Sequence, residues 1–239
     1  MFGINAELLI DHAWGCESCT IAQIRAYKPQ SSSLGCGQVL HCPYTADKAR
    51  IVVQEMIDGI SLELVEKRLV TDQLVLTVGY DIENLTRPEI RKVYKGPMTT
   101  DRYGRRVPKH AHGTWNLPRA TSSSSELLEA MAALYDKIVN PALLIRRMSL
   151  SACHVVNEKM AKEREQKETF EQLDLFTDYA KKEAKEKEEQ KKRERERRMQ
   201  EALLTIKKKY GKNAVLRGMN FEEGATAKER NGQIGGHQA

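Results

Sequence analysis

No stretch of this 239-residue chain comes near the roughly 20 consecutive apolar residues that a bilayer-spanning helix needs. The first residues, MFGINAELLIDHAWG, contain no basic leader and no long apolar segment, so they do not read as a secretory signal. Both absences argue for a cytoplasmic protein with no membrane partner. Cysteine is scarce, five residues at irregular spacing, and an odd count argues for reduced thiols over a disulfide framework. Cys16-x-x-Cys19 has the spacing of a zinc-ligand pair, but Cys36, His41 and Cys42 do not supply the second close pair of a structural site. Buried or idle thiols are the reading, with no metal expected. There is no phosphate-binding Walker loop, no GxSxG and no HExxH. Acidic pairs occur only in surface-like contexts, and no catalytic residue is expected.

What the chain does have is charge. Lys and Arg number 39 against 33 Asp and Glu, a net +6, which favours nucleic acid or another polyanion as partner. The apolar residues concentrate between Ile21 and Val156 and thin out beyond. This distribution predicts one core of about 120 residues followed by an extended polar region.

Within that core the hydrophobic period alternates between helix and strand. Ile4–Ala13 has helical spacing, and YKPQSSSLGCG (27–37) reads as a linker. GQVLHC (37–42) is a short strand. In 45–68, Ala49, Val52, Val53, Met56, Ile57 and Ile60 recur at helical spacing. In 73–80, Leu74, Leu76, Val78 and Tyr80 share one strand face. KHAHGTWNL (109–117) alternates again, 124–139 is an amphipathic helix, and LLIRRMSLSACHVV (143–156) is the last strand. The order β-α-β-β-α-β predicts an α+β, ferredoxin-like domain with both helices on one face of a four-stranded sheet.

The uncovered face of such a sheet meets water or a partner. Period-two counting puts Gln73, Thr77, His110, His112, Thr114, Asn116, Arg147, Ser149 and Ser151 on it. Hydroxyl, amide and guanidinium donors suit a phosphate backbone, and they equally suit an ordinary solvated face. No aromatic pair appears there, which excludes base stacking of the RRM kind. The segment 86–108 reads as a basic loop, with Lys95, Arg102, Arg105 and Arg106 among its cations and Tyr94 and Tyr103 between them. Backbone contacts and a merely soluble insert both fit it.

Beyond Val156 the chain is polar. Residues 180–210 hold i, i+4 pairs such as Glu183/Lys187 and Glu194/Arg198 and predict a solvated single helix ended by Tyr210-Gly211. Thr226-Ala-Lys-Glu229 has the spacing of a capping box that starts a short helical turn. One stretch sits oddly in this region: EQLDLF (171–176) puts two leucines and a phenylalanine among charged neighbours.

Taken in order, these blocks resemble the C-terminal part of a Y-family translesion DNA polymerase of the Gram-positive bacterial type. FGINAELLIDHAWG resembles the last thumb helix, and IAQIRAYKPQSSSLGCGQVL resembles the tether into the little-finger domain. LVTDQLVLTVGYD, KHAHGTWNL and LLIRRMSLSACHVV resemble little-finger strands. EQLDLFTDY resembles the motif that binds the bacterial sliding clamp, and KKKYGKNAVLRGMNFEEGAT and RNGQIGGHQA resemble this group's tail. The resemblance implies a thumb remnant at 1–20, a tether at 21–36 and a DNA-binding little finger at 37–156. It further implies a linker with the clamp motif at 157–179, a charged helix at 180–210 and a polar tail at 211–239.

By the same resemblance, Arg147 and Ser151 match phosphate-contacting places of the little finger, on DNA primer-template near the nucleoid, while His112 and Thr114 follow from the face argument. Gln172 would bind at the entrance of the clamp's pocket. Leu175 and Phe176 would fill it, Leu173 would pack beside it, and Asp174 would complete the peptide. Two or three such side chains at about 1.5–3 kcal/mol each, less the ordering cost, imply micromolar-scale binding. On the pattern alone, the same residues could pack back on the domain or form one helix face with Phe170. The family's palm carboxylates, which hold its magnesium ions, have no counterpart in this sequence. The expectation is a fragment, an internal-start product or a split gene whose catalytic half is encoded separately. The alternative is a stand-alone, non-enzymatic adaptor that uses its charged helix and tail on RNA or the ribosome.

Overall fold

A computed structural model describes residues 5–17, 19–27, 32–101, 104–168, 179–234 and 237–238. They divide into two compact units, Met1–Ser31 and Ser32–Ala239. The first holds α1 (Asn5–Ala13) and α2 (Ile21–Ala26). A closed capping box starts α2: Thr20 Oγ1 accepts from Gln23 N at 3.3 Å and Gln23 Oε1 accepts from Thr20 N at 2.7 Å. Leu8, Leu9, Ile10 and Trp14 are exposed.

The second unit begins with β1 (Leu34–Tyr44), α3 (Ala46–Lys67) and β2 (Leu69–Tyr80). Two short helices, α4 (Glu83–Thr86) and α5 (Pro88–Val93), and a hairpin of β3 (Met98–Thr100) and β4 (Arg106–Pro108) follow. Next come β5 (Ala111–Thr121), α6 (Ser124–Ile138), β6 (Ile145–Cys153), β7 (Val156–Asn157) and α7 (Glu158–Glu168). The chain continues through α8 (Tyr179–Tyr210), α9 (Ala227–Arg230), β8 (Gln233–Ile234) and β9 (His237–Gln238).

The long elements run β1-α3-β2-β5-α6-β6, so the fold is α+β with the expected β-α-β-β-α-β order. The main path of the sheet is β1-β6-β2-β5, antiparallel throughout, with the short β7 pairing the start of β2. Each strand–helix–strand crossover therefore joins two parallel strands separated by one antiparallel strand. In the ferredoxin arrangement the third strand fills the gap left by the first crossover; here the last strand, β6, fills it. The local sequences favour this order. β1 and β5 carry Pro43 and Pro118, which cannot donate to a neighbour and so belong at edges, while β2 and β6 have no proline.

Both helices cover one face. Leu40 from β1, Leu74, Leu76 and Val78 from β2, and Met148, Leu150 and Ala152 from β6 form a single core with Val52, Ile57 and Leu64 of α3 and Leu127, Met131 and Leu134 of α6. Each large side chain in it contributes about 1.5–3 kcal/mol by leaving water. Gly113 of β5 lies under α6, where a Cβ would come within 2.8 Å of Ile138 and 2.9 Å of Leu134. The two helices are joined by a buried Ser61–Ser124 hydroxyl hydrogen bond of 2.7 Å, and by Tyr135 Oη donating to Ala46 O at 2.7 Å. Burial pushes the Tyr135 phenol well above its ordinary value and keeps it a donor.

Three sequence expectations change here. The segment read as a basic loop holds α4, α5 and a hairpin, because Asn84 is buried and braces it: its amide donates to Asp81 O and Leu144 O and accepts from Leu144 N. Helix α8 has nearly its expected bounds but is not solvated all round. Gln200 is 1% exposed and donates to Ser122 O and Ser124 Oγ, while Glu196 accepts from Ser123 Oγ and Ser125 N at the start of α6. The i, i+4 pattern reports the wet side of the helix and hides the docked one.

The tail also folds back. The expected turn after Thr226 forms as α9, but the capping box does not close; the cap comes from α3. Glu55, 7% exposed, accepts from Thr226 N at 2.8 Å, Ala227 N at 3.0 Å, Thr226 Oγ1 at 3.2 Å and Asn220 Nδ2 at 2.8 Å. A carboxylate there satisfies orphan amides and the helix dipole together. Arg217 lies 2.7 Å from Asp58 Oδ1, in ion-pair range but off the hydrogen-bond axis. Burial raises the Asp58 carboxyl above its ordinary value, against the pull of Arg217. Its ionised form is thus disfavoured by the fold, and stability falls as pH rises through the raised value. Glu55→Ala should therefore cost about 3 kcal/mol and open residues 217–230 to protease, while Asp58→Asn, which removes a burial cost along with a charge, should cost under about 1 kcal/mol at pH 7. Thermal melts and limited proteolysis of the two variants check the contrast.

Candidate nucleic-acid interface

Because both helices lie on one side, alternate residues of the four long strands form an open face. The register sorts them into rows. Gly37 of β1 pairs Ser149 of β6, which pairs Thr77 of β2, which pairs His112 of β5. Gly35, Ser151, Val75 and Thr114 form the next row, and Cys153, Gln73 and Asn116 the one after it. On the other side, Val39, Arg147 and Gly79 align across β1, β6 and β2. Arg147, Ser149, His112, Thr114 and Asn116 are exposed, and Ser151 is half-buried.

Neighbours within rows are already hydrogen-bonded. Thr77 Oγ1 and His112 Nδ1 lie 2.9 Å apart, and Gln73 Nε2 donates to Asn116 Oδ1 at 2.9 Å. These bonds fix side chains without consuming the outward lone pairs and protons. Glycines at 35, 37 and 79 lower the surface around Arg147, Ser149 and Ser151; a Cβ on Gly35 would stand 2.9 Å from Ser151 Oγ. The result is a shallow, donor-rich face with one cation in it. Chemically it can hold an extended anionic backbone.

The remaining sequence candidates fall elsewhere. His110 precedes β5 and is exposed. Lys95, Arg105 and Arg106 are exposed on the α5 and hairpin segment, and Arg105 is tied to Asp101, its Nε donating to Oδ2 at 2.8 Å. Arg102 and the peptide Gln172, Leu173, Asp174, Leu175 and Phe176 lie outside the described residues. Arg146 sits at a register shift in β6 and stands 3.7 Å from Asp81.

Sequence counting missed Val39, 71% exposed, and Val75 on the otherwise polar face. It also missed the seam where α8 docks, a cavity of about 500 Å³ lined by Arg119, Lys162, Arg193 and Arg197 among others. Much of that cationic charge is neutralised in place. Glu126 pairs with Arg119 and Arg193, and Glu158 pairs with Lys162 and Arg197. No local pattern announces such long-range pairs.

No family model and no curated protein matches the sequence. Among solved structures, the chain is similar to one described as a complex of beta-clamp processivity factor and the little finger domain of PolIV. The match has a TM-score of 0.33 and 9% identity, and covers 61% of this chain and 100% of that one. A TM-score that low does not establish a shared fold. Among the described residues, no helix is long and apolar enough to cross a membrane, and no three His, Cys, Asp or Glu side chains are grouped to hold a metal ion.

The two thiols of β1 differ in burial. Cys42 is exposed, whereas burial pushes the Cys36 thiol above its ordinary value, with Arg230 opposing part of that rise. Less thiolate at neutral pH means slower alkylation. Iodoacetamide mapping at pH 8 should label Cys42 well before Cys36, and loss of that order on cutting away residues 217–239 would show that the tail shields β1.

Proposed function

We propose that the open sheet face binds the sugar–phosphate backbone of primer-template DNA, and that Gln172–Phe176 tethers the chain to a bacterial sliding clamp. The chain would thereby serve as the DNA-holding and clamp-tethering part of a translesion polymerase in damage bypass. The observation that carries the reading is the register of Arg147, Ser149 and Ser151 beside Thr77, His112 and Thr114 on the face turned away from α3 and α6. It is supported by the order of sequence blocks resembling the C-terminal part of Y-family polymerases. Magnesium-dependent phosphoryl transfer is assigned to a separate catalytic half and not to these residues.

Backbone binding has a physical signature. Affinity should fall linearly with salt on a log–log plot, by about 0.9 per phosphate neutralised, with little dependence on base sequence. Fluorescence anisotropy on a labelled primer-template should show this, and Arg147→Ala should lower the slope by about 1. Salt-resistant, base-specific binding contradicts the reading. Titration against the clamp should give micromolar-scale affinity that Leu175→Ala/Phe176→Ala takes out of the measurable range, since losing two buried side chains at about 1.5–3 kcal/mol each weakens binding by roughly 10²–10⁴-fold. Preference for RNA with no clamp binding would favour the adaptor.

A further inference from the structure

Arg147 is the one cation in the described rows of the open face, and its side chain does not stand free above the sheet. It lies across the neighbouring strand at Gly79, its register partner on β2. A Cβ at position 79 would be 2.6 Å from Arg147 Cγ, 2.6 Å from Nε and 3.1 Å from Cδ. Contacts under 3 Å are not tolerated, so the arginine can take this path only because residue 79 has no side chain. Gly79 has no positive φ, so its backbone does not demand glycine. What demands it is the space. Arg147 is thus laid flat on β2, which limits the freedom of its stem before any ligand arrives. A long cationic side chain ordinarily loses that freedom on binding, and a planar guanidinium held in place forfeits less.

We infer that Gly79 is a positioning residue for anion binding: it seats Arg147 on the sheet so that the guanidinium meets a DNA phosphate in the row next to the hydroxyls of Thr77 and Ser149. This rests on the backbone-binding reading above. Gly79 touches no ligand itself; it acts through Arg147.

The test is a double-mutant cycle with the full chain and a labelled primer-template, beside a dynamics readout. Arg147→Ala should weaken binding about tenfold, the scale of one charge-assisted hydrogen bond. Gly79→Ala should approach that loss, although it removes no charge, and should add nothing on the Arg147→Ala background. In the free wild type, the heteronuclear ¹⁵N NOE of Arg147 Nε should be as high as the β2 backbone. Gly79→Ala binding as well as wild type, an equal Gly79→Ala loss on both backgrounds, or a mobile Nε in the wild type would each overturn the proposal while leaving backbone binding intact. A wild type that binds no DNA at all would instead sink the underlying reading, and the proposal with it. If Gly79→Ala fails to fold, the Nε measurement on the wild type still decides.

Discussion

Everything in the larger unit depends on two helices lying on a single face of the sheet. A strand shows its side chains alternately to the two sides, so a one-sided helical layer forces the strands to separate their residues by period two. Leu74, Leu76 and Val78 go inward while Gln73, Thr77 and their cross-strand partners go outward. At the register shift in β6, Arg147 lies over Gly79 and Arg146 lies near Asp81. The open face follows from how the core is made.

The helical layer then extends beyond the two helices the core needs. Helix α8 docks on the serines that start α6, and the tail closes on Glu55 of α3. Both attachments use the same device: a carboxylate from one element satisfies the orphan amides at the start of another. Glu196 does this for α6 and Glu55 for α9. Neither attachment uses an open-face residue of the long strands. The surface proposed for DNA and the surface that receives the charged helix are therefore distinct, and the tail has a structural role on α3.

How much of this the sequence disclosed depended on the range of the forces. The β-α-β-β-α-β order, the inward leucines and valines, and the polar set on the open face were legible because they arise from local periodicity. Gly113 and Gly79 were not, since each is glycine because of a side chain distant in sequence, Ile138 in one case and Arg147 in the other. The docked side of α8 was hidden because Glu196, Arg197 and Gln200 look like any solvated helix surface until the serines at 122–125 are placed against them. Thr226 showed the limit of motif reading: it starts a helix as its spacing implies, yet its hydroxyl is drawn to Gln38 and Glu55.

The central claim concerns which surface meets the nucleic acid, and amide chemical shifts of ¹⁵N-labelled protein titrated with a primer-template duplex test it most directly. The account predicts shifts at residues 147, 149 and 151 of β6, 77 of β2 and 112 and 114 of β5, fading as salt is raised, with α8 and residues 217–230 unmoved. Shifts confined to α8 and the tail, with the open face silent, would contradict it.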